Sequence, residues 1–477
     1  MKNVYDVIIV GAGPAGIYNA YEFMLKAPHL KVLLIDKGLD IYNRKCPILL
    51  GQLEKCPVNR EGYVGCYPAC SITTGFGGSG AYSDGKFNIT SEFGGWMTDY
   101  LSKDTVLKLI KYVDDINLKH GATTVITDPT TPKIKEIERK GLATGLKLLR
   151  AQVRHLGTEQ NLEIMKSIYD ELKGKIEMRF RTEVKEVLVE NKKVTGVVLK
   201  DGTKLNSKYV FVAAGREGAS WLHQIAKAHK LKITNNQIDI GVRVETNDLI
   251  MEEINENLYE GKFVFNTTVG TSVRTFCSNP SGHVVVENHG GTVLANGHAY
   301  NSPELGSTNT NFALLVSHQF EEPFSNPHKY GHAIGGIANQ LTGGTVIIQR
   351  YGDFLRGRAT TENDLKHNFV VPSLKEAVPG DLGLVLPYNT MKSVVEMIEA
   401  LNHVTPGIAS DHTLLYGVET KFYSARIEVN KYFETKIENL FIGGDGAGIT
   451  RGLAQAGANG VWVAREIIKR VGNVWKL

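Results

Sequence analysis

The sequence predicts an α/β fold in which a parallel sheet carries a small β-meander and is joined to a second, sheet-rich α+β domain. Three observations predict it. An apolar, β-branched run, Val4 to Val10, leads straight into Gly11-Ala12-Gly13-Pro14-Ala15-Gly16, a helical stretch from Ile17 to Lys26, and a second apolar run, Lys31 to Ile35, ending in Asp36. Short strand signals at 176–180, 184–190 and 193–200, with a turn at Asp201-Gly202, precede an apolar run from Tyr209 that closes in Ala213-Ala214-Gly215. From Ile233 to about Asn430 the composition shifts toward Gly, Asn, Thr and His, and short β signals alternate with loops.

The first observation is a dinucleotide-binding unit in its full context: strand, Gly-x-Gly-x-x-Gly, helix, strand, acid. Gly11 permits the tight turn, Gly13 lets the backbone approach a pyrophosphate, and Gly16 lets helix and strand pack closely. The helix N-terminus offers partial positive charge and free N–H groups to a phosphate. Asp36 lies twenty residues beyond Gly16, where a carboxylate reaches a ribose 2′-OH. The first domain is therefore read as Rossmann-like.

In chain order, Lys37 to Gly95 loses periodicity and is rich in Gly, Pro, Cys and Tyr, with glycines at 75, 77, 78 and 80. A loop of this length inside a compact chain is usually functional. Asp99 to His120 has helical spacing, Asp128 to Arg139 is polar and reads as an excursion or linker, and Gly145 to Leu172 reads as helical. A further helix is expected over Asn389 to His403. At the end, Leu440 to Gly448 reads as a strand and a glycine turn, followed by a helix over Leu453 to Val471. The expected division is 1–98, 145–228 and 431–477 for the nucleotide domain, a helical excursion at 99–144, and a substrate or cap domain at 229–430.

Composition narrows the function. The chain has 477 residues, 42% hydrophobic and 22% charged, with net charge +4 and no block of five basic residues. This argues against a nucleic-acid partner. No eighteen-residue apolar stretch is present, so no membrane span is expected. The N-terminal apolar run flows into the glycine fingerprint, so no signal peptide is expected there. Five cysteines, an odd number in a long chain, suit a reducing compartment, and a cytoplasmic location is expected. There is no second Gly-x-Gly-x-x-Gly in residues 150–430, so no dedicated nicotinamide domain is expected.

Gly11 to Gly16 with Asp36, Ala213-Ala214-Gly215 and Gly443-Gly444-Asp445 together resemble the FAD-dependent oxidoreductases of the glutathione-reductase-like superfamily. Phe76 to Lys86, Arg274-Thr-Phe-Cys277 with Pro280-Ser-Gly282, Leu415 to Val418, and Gly444 to Gly452 resemble a narrower group, the uncharacterised FAD-dependent dehydrogenases. The resemblance implies a Rossmann-like FAD-binding domain with FAD extended across the sheet. Gly11, Gly13, Ala15 and Gly16 would meet the pyrophosphate, with Pro14 also at the cofactor, and Asp36, beside Lys37, the adenosine ribose. The loop holding Gly78, Gly80 and Ser83 would run near pyrophosphate and isoalloxazine. Val184, Ala214 and Gly215 are carried over as further cofactor contacts. Gly444 and Asp445 would serve the ribitol or phosphate, and Gly452 and Leu453 would start a helix aimed at the flavin N1–C2=O edge. A helix dipole there stabilises the negative charge of reduced flavin.

For catalysis the candidates are Cys277, a thiol in the substrate domain, His298 as a proton donor, and Arg358, which with Arg350 and Arg356 forms a cluster suited to a substrate carboxylate. Cys46, Cys56, Cys66 and Cys70 contain no Cys-x-x-Cys. Buried packing is the favoured reading for them, ahead of an iron–sulfur or zinc site and of a redox pair of Cys66 and Cys70; no metal is assigned. The expected function is a dehydrogenase or reductase exchanging a hydride between flavin and a small organic substrate. NAD(P)H, a quinone or a protein carrier would complete the electron path. The alternatives are an FAD-using tRNA-modifying or maturation protein and a non-catalytic flavin-binding sensor.

Overall fold

A computed structural model of the chain describes residues 3–47, 50–53, 69–83, 85–258, 260–289, 291–299, 303–320 and 326–474. They form two compact units, one of residues 1–127, 151–234 and 424–477, the other of 128–150 and 235–423.

The first unit is organised by strand β1 (Val4–Val10), helix α1 (Pro14–Lys26) and strand β2 (Val32–Ile35). β1 pairs in parallel with β2 on one side and with the strand Lys204–Val212 on the other. Glu177–Arg179 extends the parallel sheet beyond β2. Lys204–Val212 has two roles. Its first residues close the antiparallel meander Val184–Glu190 and Lys193–Leu199, and its last three pair in parallel with Leu440–Ile442. Val7, Ile8 and Ile9 are fully buried, as a parallel strand covered on both faces requires. α1 packs against the C-terminal helix Leu453–Val474, and Gly460 permits the contact because a Cβ there would fall on the Ala15 carbonyl.

Two segments differ from the reading of periodicity. Gly145 to Leu172 holds two strands, Leu146–Leu148 and Gln152–His155, before the helix Gly157–Leu172 begins. The spacing of Leu146, Leu149 and Val153 mimics a helix face, but Leu146 and Leu148 are buried with Lys147 exposed between them, the two-residue alternation of a strand. The polar stretch Asp128 to Arg139 is not a linker throughout: Pro132–Leu142 is a helix. Its N-terminus is capped by the Thr131 side chain, which accepts from the Ile134 N–H, and Pro132 stands at the first helical position. There proline starts a helix rather than breaking one.

The second unit is built on an eight-stranded sheet. Its order is Val378–Pro379, Ile347–Arg350, Leu414–Lys421, Ile238–Asn247, Asn309–His318, Ser272–Asn279, Phe263–Asn266 and Leu146–Leu148. One face is apolar: Ile238, Ile240, Val242, Val244, Leu314 and Val316 pack with Val394, Met397 and Ile398 of the helix Tyr388–Asn402. The alternate positions Asp239, Arg243 and Glu245 are charged and fully buried. Burial of such groups is tolerable only when they are paired. Arg243 pairs with Glu419 at 2.9 Å and Asp239 with Arg274 at 2.6 Å. Glu245 accepts from the Tyr416 hydroxyl at 2.5 Å.

Burial lowers the pKa of two imidazoles of this unit. His318 contacts the Thr390 hydroxyl at 3.1 Å, and His332 contacts that of Thr292 at 2.9 Å. Burial pulls both below the ordinary histidine value of 6.5, and His328 and His289 add to the effect at His332. The unfolded chain therefore takes up protons that the folded chain refuses, so stability is full above pH 6.5 and falls as the pH drops through and below it. Urea unfolding should give a lower midpoint at about pH 5.5 than at about pH 7.5. A variant carrying His318→Gln and His332→Gln should show a smaller difference; an unchanged difference would contradict this assignment.

Candidate functional site

The first unit contains a cavity of about 620 Å³. Its walls come from six places distant in sequence: the β1–α1 turn, the end of β2 at 35–37, the loop 73–80, residues 182–184, the segment 213–221, and the segment 444–456 that enters the C-terminal helix.

The β1–α1 turn is shaped by backbone proximity. Gly11 has φ of +107°, and a Cβ on it would lie 2.6 Å from the Ala213 carbonyl oxygen. A Cβ on Gly16 would fall on the Gly11 carbonyl oxygen, whereas one on Gly13 would meet no atom within 4 Å. Gly16 therefore packs the helix against the turn, and Gly13 presents bare backbone to the cavity. α1 has Pro14 in its first turn and no acidic residue there, so its N-terminal field is not cancelled by a carboxylate.

Asp36 faces the same cavity. One carboxylate oxygen accepts from the Ala12 N–H at 2.8 Å and the other from the Gly38 N–H at 2.7 Å. Burial pushes its carboxyl above the ordinary value of 3.8, against the pull of those two N–H groups and of Arg44 and Lys37. The Ala12 carbonyl in turn accepts from the Gly77 N–H at 2.8 Å. That bond brings the glycine loop to the turn, where a Cβ on Gly78 would lie 3.2 Å from the Gly13 Cα. The loop is held from behind by Arg44, only 3% exposed. Its guanidinium donates to the carbonyls of Ser71, Ile72 and Phe76 at 2.6–2.8 Å, and burial pulls its pKa down to about 10.

Opposite, Gly94 accepts from the N–H groups of Arg451 and Gly452, and the first helical bond runs from Ala456 to Gly452. The amides of Leu453 to Gln455 thus open the long C-terminal helix without an acidic residue in its first turn.

Of the residues expected at the cofactor, Gly11, Gly13, Pro14, Ala15, Asp36, Lys37, Gly78, Gly80, Val184, Ala214, Gly215, Gly444, Asp445, Gly452 and Leu453 line this one cavity. Gly16 lies behind the turn. Ser83 turns away: its hydroxyl donates to the Gly80 carbonyl at 2.7 Å and accepts from the Gly85 N–H, so it shapes the loop. Ser79, inside the expected loop, also lines the cavity, as do Thr73, Thr182, Ser220, Trp221 and Arg216, which were not anticipated. Arg216 had a signal, since it directly follows Ala213-Ala214-Gly215; Trp221 had none.

The three catalytic candidates lie in the second unit. Cys277 has φ of +50°, a left-handed conformation costly for a residue with a side chain. It is held there by its neighbours. The Cys277 N–H donates to Glu260 at 3.0 Å, and its carbonyl accepts from Arg243 at 2.8 Å and Asn279 at 3.1 Å. His298 ends the strand Thr292–His298, paired with His283 across a two-stranded hairpin. Arg358 bonds Asp353 at 2.7 Å and Asp364 at 3.3 Å, while Arg350 and Arg356 share Asp353. Asp411 meets Arg356 at 2.9 Å, so three arginines face three aspartates in one ion network, a structural reason against its holding a substrate carboxylate. Cys46 and Cys70 are free thiols of intermediate exposure; Cys56 and Cys66 lie outside the described residues. Among the described residues no group of three or more His, Cys, Asp or Glu could hold a metal ion, and no helix is long and apolar enough to cross a membrane.

Fold and cavity together define a Rossmann-like nucleotide-binding domain. The family described as FAD-dependent protein, C-terminal domain-like, matches residues 237–422, and the family Glucose inhibited division protein A matches residues 98–271. These matches agree with the resemblance to the uncharacterised FAD-dependent dehydrogenases. An uncharacterised protein of Clostridium beijerinckii is 24% identical over 488 residues, spanning 97% of this chain and 80% of its own. Among solved structures, E. coli quinol fumarate reductase FrdA aligns with a TM-score of 0.40 at 15% identity, over 99% of this chain and 71% of that one. Glycine oxidase from Bacillus cereus aligns with a TM-score of 0.37 at 11% identity, over 98% and 95%.

Gly13 and Gly16 should separate binding from folding. Gly16→Ala puts a methyl group on a backbone carbonyl and should cost about 2–3 kcal/mol of stability, seen as a lowered unfolding midpoint. Gly13→Ala should leave that midpoint nearly unchanged while weakening FAD binding about tenfold or more, measured by quenching of FAD fluorescence. Equal effects of the two substitutions would contradict the geometry.

Proposed function

We propose that this chain exchanges a hydride between FAD and a small organic substrate, with electrons passed to or from a nicotinamide, a quinone or a protein carrier. The observation that carries the reading is the cavity wall: bare backbone at Gly13, a carboxylate at Asp36, and two helix N-termini without acidic first turns meet at one space. That is the donor set of an extended dinucleotide. The residues present fit FAD. Gly13 and Ala15 would hold the pyrophosphate, Asp36 the adenosine ribose, Asp445 the ribitol, and the start of the helix at Leu453 the ring edge where charge accumulates on reduction. FAD, when bound, supplies the hydride-accepting and hydride-donating chemistry.

The second unit would supply substrate contacts and proton transfer. Cys277 is our first candidate for the latter, because its unusual backbone conformation is fixed by Glu260, Arg243 and Asn279. Strain of this kind clusters at functional sites. His298 is the second candidate, and no catalytic part is proposed for Arg358.

One observation favours a second reading. The match of residues 98–271 to Glucose inhibited division protein A supports an FAD-using tRNA-modifying role. Binding of bulk tRNA with a steep salt slope would favour it.

The anaerobic visible spectrum of the purified protein tests the primary reading. Flavin bands should be present, or appear on adding FAD, and should bleach with NADH, NADPH or, failing these, dithionite. Bleaching by a nicotinamide would assign the donor. Absence of flavin bands after FAD addition would overturn the proposal.

A further inference from the structure

We infer that Arg216 is a cofactor-affinity residue that recognises the diphosphate of FAD, acting as one half of a fixed pair with Asp445. The inference rests on the FAD reading above and adds to it a residue and a selectivity. Arg216 opens a short 3-10 turn, Arg216–Gly218, directly after the strand end at Gly215, and Asp445 opens another, Asp445–Ala447. The two turns are locked together. The Gly446 N–H donates to the Ala214 carbonyl at 3.0 Å, and a Cβ on Gly446 would lie 2.5 Å from the carbonyl oxygens of both Ala214 and Gly215. The stems of Arg216 and Asp445 are therefore set by backbone, and both residues line the cavity.

The pairing is side-on to the guanidinium and uses one carboxylate oxygen. Nη2 and Nε of Arg216 approach the same oxygen, Oδ2 of Asp445, at 3.1 and 3.3 Å. Among the described residues no hydrogen bond engages Asp445 Oδ1 or Arg216 Nη1. Asp445 can thus offer an acceptor to a hydroxyl while Arg216 offers a donor to an anion. Charge requires this division. A carboxylate beside a diphosphate is repulsive unless a cation stands with it, and a guanidinium both neutralises the carboxylate and gives directed N–H donors to phosphate oxygens. Lys37, another cation of the same wall, is engaged with Glu217 at 3.4 Å. An ordinary surface pair is the competing account, since the Arg216 side chain is 55% exposed, and such a pair leaves ligand binding untouched.

The test compares FAD, ADP and riboflavin, titrated into wild type, Arg216→Gln and Arg216→Lys at about 20 and about 200 mM salt. Arg216→Gln should weaken FAD and ADP about tenfold at the lower salt, as loss of one charge-assisted contact does, and leave riboflavin unchanged. Its deficit should shrink at the higher salt, and Arg216→Lys should recover part of it. Equal weakening of all three ligands would mean a structural role and overturn the inference. Unchanged FAD binding by Arg216→Gln would overturn it alone, because wild type still binds FAD. Wild type that binds none of the three would overturn the FAD reading and this inference with it.

Discussion

The first unit depends on the close approach of three backbone segments around Ala12. Its N–H is taken by Asp36 at 2.8 Å, and its carbonyl by the Gly77 N–H at 2.8 Å. One residue thereby joins the β1–α1 turn, the end of β2 and the glycine loop. The glycines on either side let the segments come this near. A side chain at Gly11 would strike the end of the strand Lys204–Val212, and one at Gly16 would strike Gly11 itself. The cavity is what remains when these segments are packed against one another with no side chains between them. The phosphate-binding face is therefore a product of backbone packing as much as of charge.

A second constraint acts on the loop 73–80. Most of its polar backbone must find partners outside regular structure. Arg44 meets that need with one guanidinium shared among three carbonyls. A cation buried to 3% exposure is costly, and Tyr82, whose ring lies 4.9 Å from it, adds a favourable face. The same charge lies close enough to Asp36 to draw its carboxyl downward against burial. Loop, acid and arginine therefore form one electrostatic unit beneath the cavity.

Much of this was legible in the sequence, and the reason is local. The turn Gly11 to Gly16, Asp36, the strand closing in Ala213-Ala214-Gly215 and the turn at Gly444-Asp445 each carry their geometry in a few adjacent residues. What was not legible depends on distant partners. Pro132–Leu142 looked like a linker because its apolar residues are few, and Leu146–Leu148 looked helical because its partner strand, Phe263–Asn266, lies more than a hundred residues away. The buried charges Asp239, Arg243 and Glu245 alternate with Ile240, Val242 and Val244 along one strand. In sequence that pattern reads as an ordinary solvent-facing edge; only pairing with Arg274, Glu419 and Tyr416 lets both faces be buried. The partners of Arg358 were hidden in the same way: Asp353 and Asp364 meet its charge.

The central claim is that FAD lies in this cavity with its pyrophosphate at the start of α1. The most direct measurement is a crystal structure of the FAD-loaded protein. The account predicts pyrophosphate oxygens within hydrogen-bonding distance of the Gly13 and Ala15 backbone and a ribose hydroxyl on Asp36. FAD bound elsewhere, or bound here in the reverse orientation with its ring at Asp36, would contradict it.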